Sequence, residues 1–223
     1  MNYKKYKNLL GTFYPPDALH ICPGFFQTLS ERDFESGLGE VVKFNIMAGE
    51  HGLKNIEDNI DRLLARDEDC LKQFVYSSLE FKKGFIEVDE FDRGERIKLN
   101  FAHTFGHAIE TVTGYEIPHG TAVAIGMIMA NRVAERRGML DSEIARRSEK
   151  VLLRVIHIGI DLNEYPLERF ISAMRKDKKQ TSEHLTAVLM TNVAKDLKIV
   201  HDVQIEEVAD ARDYFEQLYH AQA

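Results

Sequence analysis

Three short stretches concentrate the side chains that bind metals and move protons. They are Gly39-Glu40-Val41-Val42-Lys43, His103-Thr104-Phe105-Gly106-His107-Ala108-Ile109-Glu110, and Pro118-His119-Gly120. Of the 9 histidines in the chain, three fall in this small set. On a helix His103 and His107 share one face, one turn apart. His119 opens the next helix after a tight turn, so it can come back toward the same point. Imidazole nitrogen is a standard zinc ligand, and three protein ligands with one open position define a catalytic site. The His-x-x-x-His pair alone is a weak signal, being equally the pattern of surface or hydrogen-bonded helix histidines. Its setting adds weight, because the pair lies in an apolar helix beside glycine and alanine, and buried imidazoles need partners. Glu40 has Leu38, Val41, Val42 and Phe44 around it, with Gly37 and Gly39 costing the helix stability. Small residues of that kind make sense where another helix or a ligand approaches closely. Lys43 lies one turn on. The pair reads either as an ordinary intrahelical ion pair, worth a few tenths of a kcal/mol, or as a carboxylate ligand with a cation for substrate beside it.

The elements that must position these residues read as helix after helix. Ser30-Glu31-Arg32-Asp33 has the form of an N-terminal cap leading into Phe34, Leu38, Val41 and Val42 at helical spacing. Segments Ile56–Ala65, Cys70–Phe85 and Arg96–Val112 repeat that period. Gly114 ends one helix and Pro118-His119-Gly120 begins the next, which runs to Arg137. That helix is apolar on all sides in its first half, so it belongs at the centre of a bundle. Asp141 or Ser142 caps a further helix to Ile156. Leu185–Met190 and Leu197–Val203 read as a β-hairpin, followed by a closing helix from Ile205 to Tyr219. Ala18–Cys22 reads as a brief N-terminal strand. The expected fold class is mainly α, a helical bundle with a short N-terminal strand and the small hairpin.

Composition narrows the function classes. Hydrophobic residues make up 44% of the 223 and charged residues 29%, ordinary for a globular chain. A net charge of -7 argues against nucleic acid or an anionic membrane as main partner, while leaving room for a local basic pocket. Cys22 and Cys70 form neither a disulfide framework nor a thiolate zinc site and fit a reducing cytosol. The most apolar stretch, Ala122–Ala130, is too short to span a bilayer. A cytoplasmic protein is expected.

The runs GLGEVVKF, KKGFIEVDEFDRGERIKLNFAHTFGHAIE and PHGTAVAIGM, in this order and spacing, resemble the 3-dehydroquinate synthase family of sugar phosphate cyclases. The resemblance reaches from Lys7-Asn8 to Asp177-Lys178-Lys179. It implies a zinc or cobalt ion held by Glu40, His103 and His119, with His107 a catalytic histidine and not a ligand. Spacing alone would place His107 on the metal. It further implies that Lys43 and Lys82 take part in catalysis. Lys82, Arg96, Asn100 and Asn8 would bind substrate, joined by a basic residue among Lys176, Lys178 and Lys179. Lys7 and the segment Phe25, Phe26, Gln27, Thr28 would lie against the cofactor.

The implied reaction converts 3-deoxy-D-arabino-heptulosonate 7-phosphate to 3-dehydroquinate with release of phosphate, by transient oxidation through NAD, elimination, reduction and ring closure. The helical domain would be residues 29–223, and 1–28 a remnant of an interdomain, cofactor-contacting segment. The glycine-rich dinucleotide site of the family has no counterpart here, and no Gly-x-Gly-x-x-Gly occurs. The NAD site is therefore expected largely outside this chain, supplied by a separate NAD-binding half or a full-length subunit, and the resemblance implies a homodimer. Thr121 stands where the family usually has glutamate, and the hairpin lacks the usual Ile-Gly or Leu-Gly pair. Alternatives of other substrate or class are a 2-deoxy-scyllo-inosose or valiolone type of cyclase, and a non-catalytic partner subunit.

Overall fold

In the computed structural model, residues 10, 11, 14, 17–176, 184–191 and 196–221 are described. Their order is eight α-helices and one two-stranded sheet: α1 (Glu31–Met47), α2 (Glu50–Leu64), α3 (Glu68–Val88), α4 (His103–Val112), α5 (His119–Arg136), α6 (Ser142–Leu153), α7 (Leu167–Arg175), β1 (Leu185–Met190), β2 (Leu197–Val203) and α8 (Ile205–His220). Three 3-10 turns, Pro23–Thr28, Glu95–Asn100 and Leu162–Glu164, join them. No helix among the described residues is long and apolar enough to cross a membrane.

The centre is α5, as its uniform apolarity predicts. Every residue from Gly120 to Ala130 is buried, and so is Asn131. Helices α1, α4, α6 and α8 and strand β1 all pack on it. Burying side chains such as Ile125, Met127 and Ile128 contributes roughly 1.5–3 kcal/mol each, so this one helix anchors the core. The helix starts follow their caps. Ser30 accepts from the Asp33 N–H at 3.1 Å, Asp67 from Cys70 at 2.8 Å and Asp141 from Glu143 at 2.8 Å. Gly138 (φ 66°) ends α5 in the left-handed conformation that glycine adopts without penalty.

Strands β1 and β2 pair antiparallel, with Val188 opposite Ile199 and Met190 opposite Leu197, and a register shift between Leu185 and Ala187. All of β1 is buried, while β2 is partly open. Arg137, just past α5, ties this hairpin and α8 down. Its Nε and Nη2 donate to the two Glu207 carboxylate oxygens at 2.6 Å each, and its Nη1 to Asp202 at 2.8 Å.

Two expectations need correction. Ala18–Cys22 is irregular chain and not a strand; it has no partner edge among the described residues, and a strand without a partner leaves its backbone groups unpaired. The period read continuously over Arg96–Val112 is broken into a 3-10 turn, Glu95–Asn100, and α4, by Phe101 and a left-handed Ala102 at φ 67°. Packing overrides local propensity there: Phe101 is fully buried, and the Ala102 carbonyl sits where a Cβ on Gly126 of α5 would be 2.6 Å away. Helix α7 and the turn at Leu162–Glu164 lie in a stretch to which no element is assigned from sequence.

The Arg137 guanidinium holds the Glu207 and Asp202 carboxyls below their ordinary values of 4.5 and 3.8. Groups with depressed folded pKa values stabilise above their ordinary pKa, and that contribution fades as pH falls through the folded value. Arg137→Ala is therefore expected to lower unfolding stability by about 1–2 kcal/mol at pH 7. In urea titrations, the gap between wild type and variant should narrow once the pH drops below 4.5.

Candidate metal centre and anion cleft

Three helices bring the chemistry-bearing residues together, and they can do so because their backbones nearly touch. A Cβ placed on Gly39 would lie 2.2 Å from the Gly120 carbonyl oxygen, and one on Gly120 would lie 1.7 Å from the Ser36 oxygen. No side chain fits between α1 and α5 at that crossing. The Gly120 N–H donates to Ser36 Oγ at 2.9 Å, and Arg32 Nη2 donates to the Glu116 carbonyl. Together these set His119, the first residue of α5, against Glu40 in α1. Gly37 faces open space, so the close-approach reading of the glycines applies to Gly39. Gly106 gives α4 the same intimacy with α5, since a Cβ there would meet the Val123 backbone at 3.1 Å.

The result is a tight constellation. Glu40 Oε1 lies 3.6 Å from His103 Nε2 and 3.5 Å from His119 Nε2, and one ligand atom from each residue falls within 4.8 Å of the others. That oxygen is buried and has no hydrogen-bond partner. The second carboxylate oxygen accepts from Lys43 Nζ at 2.7 Å. Each imidazole is oriented through its far nitrogen, His103 Nδ1 against the Phe101 carbonyl at 3.0 Å and His119 Nδ1 against Glu110 Oε2 at 3.1 Å. A buried, unpaired carboxylate oxygen aimed at two Nε2 atoms is the donor set a divalent cation requires, with the outer contacts that metal-bound histidines characteristically have.

The electrostatics match. Burial opposes charge on Glu40, but the facing His119 and the Lys43 ammonium prevail and hold its carboxyl down at about 2. Burial, then the Lys43 charge, push His103 down to about 3, so it is neutral at pH 7. The Glu110 hydrogen bond, and then Glu40, raise His119 to about 9. Without a metal, the positive charge that Glu40 attracts resides on Lys43 and His119.

Beside this centre opens a cleft of about 210 Å³ lined by Glu40, Lys43, Phe44, Lys82, Asp92, Arg96, Leu99, Asn100 and His103. Of the residues expected to bind substrate or act on it, Lys43, Lys82, Arg96 and Asn100 thus meet in one place. Lys43 is only 2% exposed. Asp89 braces the loop that carries Arg96, accepting from the N–H groups of Arg93, Gly94 and Arg96 at 2.7–3.1 Å. His107 is not on the cleft wall; its ring centre is 5.4 Å from that of His103 and 5.8 Å from that of His119. Phe25, Gln27 and Thr28 are exposed and Phe26 half-buried in a 3-10 turn away from the cleft lining, clamped by Arg66 Nη1 to the Phe26 and Leu29 carbonyls. Lys176 lines a different groove with Thr111 and Val112. Lys7, Asn8, Lys178 and Lys179 lie outside the described residues. Glu110, Asp89 and Asp92 have no role assigned from sequence. A signal existed for Glu110, which follows His103 by seven residues and His107 by three and so shares their helix face.

A helical core with one hairpin, setting a Glu-His-His constellation beside a cationic cleft, defines a class of helical domain with a candidate metal centre. The chain belongs to the 3-dehydroquinate synthase family, whose C-terminal domain model matches residues 37–180. It is 37% identical over 212 residues to a 3-dehydroquinate synthase of Acinetobacter baumannii, a match covering 95% of this chain and 58% of that protein. It is 37% identical over 213 residues to one of Dictyoglomus thermophilum, covering 95% and 59%. The chain therefore spans just under three fifths of these relatives. Two solved structures share its fold. One is 2-epi-5-epi-valiolone synthase of Streptomyces hygroscopicus with NAD+ and Zn2+ bound, at TM-score 0.79 and 22% identity, covering 95% of this chain and 59% of that one. The other is 2-deoxy-scyllo-inosose synthase complexed with carbaglucose-6-phosphate, NAD+ and Co2+, at TM-score 0.77 and 21% identity, covering 93% and 58%.

Gly120→Ala should force α1 and α5 apart, costing about 1–3 kcal/mol of stability and displacing His119 from Glu40. Chemical denaturation and zinc titration of the same variant check both effects. Gly37→Ala, where the space is open, should leave metal affinity unchanged.

Proposed function

We propose that this chain supplies the metal and substrate site of a 3-dehydroquinate synthase, a phosphate-eliminating carbon–oxygen lyase of the shikimate pathway, acting with NAD on 3-deoxy-D-arabino-heptulosonate 7-phosphate. The observation that carries the reading is the buried Glu40 Oε1, unpaired and facing Nε2 of both His103 and His119. When bound, a divalent zinc or cobalt ion would act as a Lewis acid toward a substrate hydroxyl.

The remaining roles belong to the chain's own groups. Glu40, His103 and His119 hold the cation. Lys43 neutralises the other Glu40 oxygen and presents an ammonium to the cleft, where its burial strengthens any charge-assisted contact to substrate. Lys82 and Arg96 supply two further cations, matching a ligand that carries both a phosphate and a carboxylate, and Asn100 adds an amide. His107, beside the two ligand histidines, passes a proton to or from the reacting group; imidazole suits that task near neutral pH. The exposed turn Phe25–Thr28 is the surface proposed to meet NAD, with Lys7 and Asn8 nearby in the chain. A homodimer is the proposed assembly and the cytoplasm the proposed location. The related cyclases share the fold at 22% and 21% identity, against 37% for the synthases, which supports the heptulosonate over other sugar phosphates.

Metal analysis is expected to give about one zinc per chain through three protein ligands, lost in His103→Ala and in His119→Ala; unchanged content in both variants would overturn the ligand set. Calorimetric titration of the zinc-loaded protein should show the heptulosonate phosphate binding more tightly than glucose 6-phosphate. Arg96→Ala should weaken it by about tenfold or more, equivalent to roughly 1.4 kcal/mol. Equal binding of the two sugars would sink the substrate assignment.

A further inference from the structure

Of the three groups assigned to the metal, His119 is the least constrained by its surroundings. Its side chain is 42% exposed, against 13% for His103 and 29% for Glu40. It is the first residue of α5, after Pro118, and Pro118 provides no side-chain cap. His103, by contrast, is fixed by a backbone carbonyl that cannot rotate away, that of the buried Phe101. The polar contact that sets the plane and tautomer of the His119 ring comes from Glu110, whose carboxylate is 14% exposed and accepts from Nδ1 at 3.1 Å. With Nδ1–H committed to Glu110, Nε2 is turned toward Glu40 Oε1, 3.5 Å away, where a cation would take the place of the Nε2 proton. Glu110 is itself held rigidly. It lies in the last turn of α4, and its carbonyl accepts from the Tyr115 N–H at 2.7 Å and the Thr113 hydroxyl at 3.3 Å, locking the turn that leads to His119.

We propose that Glu110 is the positioning residue of the metal centre, orienting His119 through the Nδ1 hydrogen bond so that Nε2 stays available to the cation. This rests on the ligand set proposed above and adds to it a fourth residue that touches neither metal nor substrate. Glu110 also falls in a second grouping, with His107 and His119, whose ligand atoms lie within 4.8 Å of one another. Its Oε2 is already engaged by His119 Nδ1. Orientation and ligation differ in what they demand of residue 110. Orientation needs only an acceptor for Nδ1–H, which a glutamine carbonyl supplies; ligation by a carboxylate needs the charge.

The test compares zinc affinity, by competition with a chromophoric chelator, in wild type, Glu110→Gln and Glu110→Ala. The visible spectrum of the Co2+-loaded proteins is recorded alongside, and thermal unfolding confirms that each variant folds. Loss of the outer contact is expected to weaken zinc binding in Glu110→Ala by about 10–100-fold and to change the cobalt d–d bands as His119 leaves the coordination sphere. Glu110→Gln should restore affinity to within about threefold of wild type, with the wild-type cobalt spectrum. Unchanged affinity in Glu110→Ala overturns the proposal. So does a glutamine variant as impaired as the alanine one, which would make the carboxylate charge, not ring orientation, the contribution. If Glu110→Ala does not fold, Glu110→Met, which keeps the side-chain bulk but lacks the acceptor oxygen, takes its place with the same expected loss, and unchanged affinity in it overturns the proposal. Failure of the underlying ligand set is a separate outcome, seen as wild type whose zinc binding is indifferent to His103→Ala and His119→Ala.

Discussion

The near-contact of three helix backbones governs what this domain can be. Helix α5 lies so close to α1 and to the start of α4 that Gly39, Gly120 and Gly126 have no room for a β-carbon, and Gly106 has little. Such contacts sacrifice side-chain packing area and place backbone dipoles against one another, which a domain stabilised only by apolar burial would avoid. What they achieve is convergence. Glu40, His103 and His119 come from separate helices, and their ligand atoms meet within 4.8 Å only because the axes do not diverge. The apolar length of α5 then offsets the cost, since most of its residues are buried against neighbours on every side.

Charge is arranged around that convergence in layers. Lys43 neutralises one oxygen of Glu40, and the other is buried without a hydrogen-bond partner. The two histidines are pushed in opposite directions by their neighbours, His103 by burial and His119 by Glu110. Lys82 and Arg96 then face the cleft from α3 and from the turn before α4. Their positive charge is local: the chain as a whole carries a net charge of -7, so this cationic pair is a feature of the cleft and not of the molecular surface.

Much of this was legible in the residues. The uniform apolarity of α5, the caps at Ser30 and Asp141, and the short apolar runs of the hairpin each have a local cause, and each element formed where its pattern lay. The breaks were harder to see. Ala102 adopts a conformation that alanine disfavours, and only the pressure of Gly126 and the burial of Phe101 account for it, so no window around Ala102 could reveal it. Helix α7 is short, with Leu167, Phe170, Ile171 and Met174 giving little more than two turns of period. At the site, spacing placed His103, His107 and His119 together, and they are together. It could not tell which imidazoles turn Nε2 toward Glu40, as His103 and His119 do, a matter of helix crossing and not of interval along the chain.

Asp89 has a wider consequence. By engaging the amides of Arg93, Gly94 and Arg96 it fixes the loop between α3 and the Glu95–Asn100 turn before any ligand arrives. Immobilising a free backbone residue costs roughly 1–2 kcal/mol in entropy, and a loop of this length left unconstrained would charge that cost against every capture event. Here folding has already met it. The guanidinium of Arg96, whose Nη1 donates to the Glu90 carbonyl at 2.6 Å, sits on a rigid mount, so in its proposed role the free energy of anion contact would appear as affinity and selectivity instead of being consumed in ordering the chain.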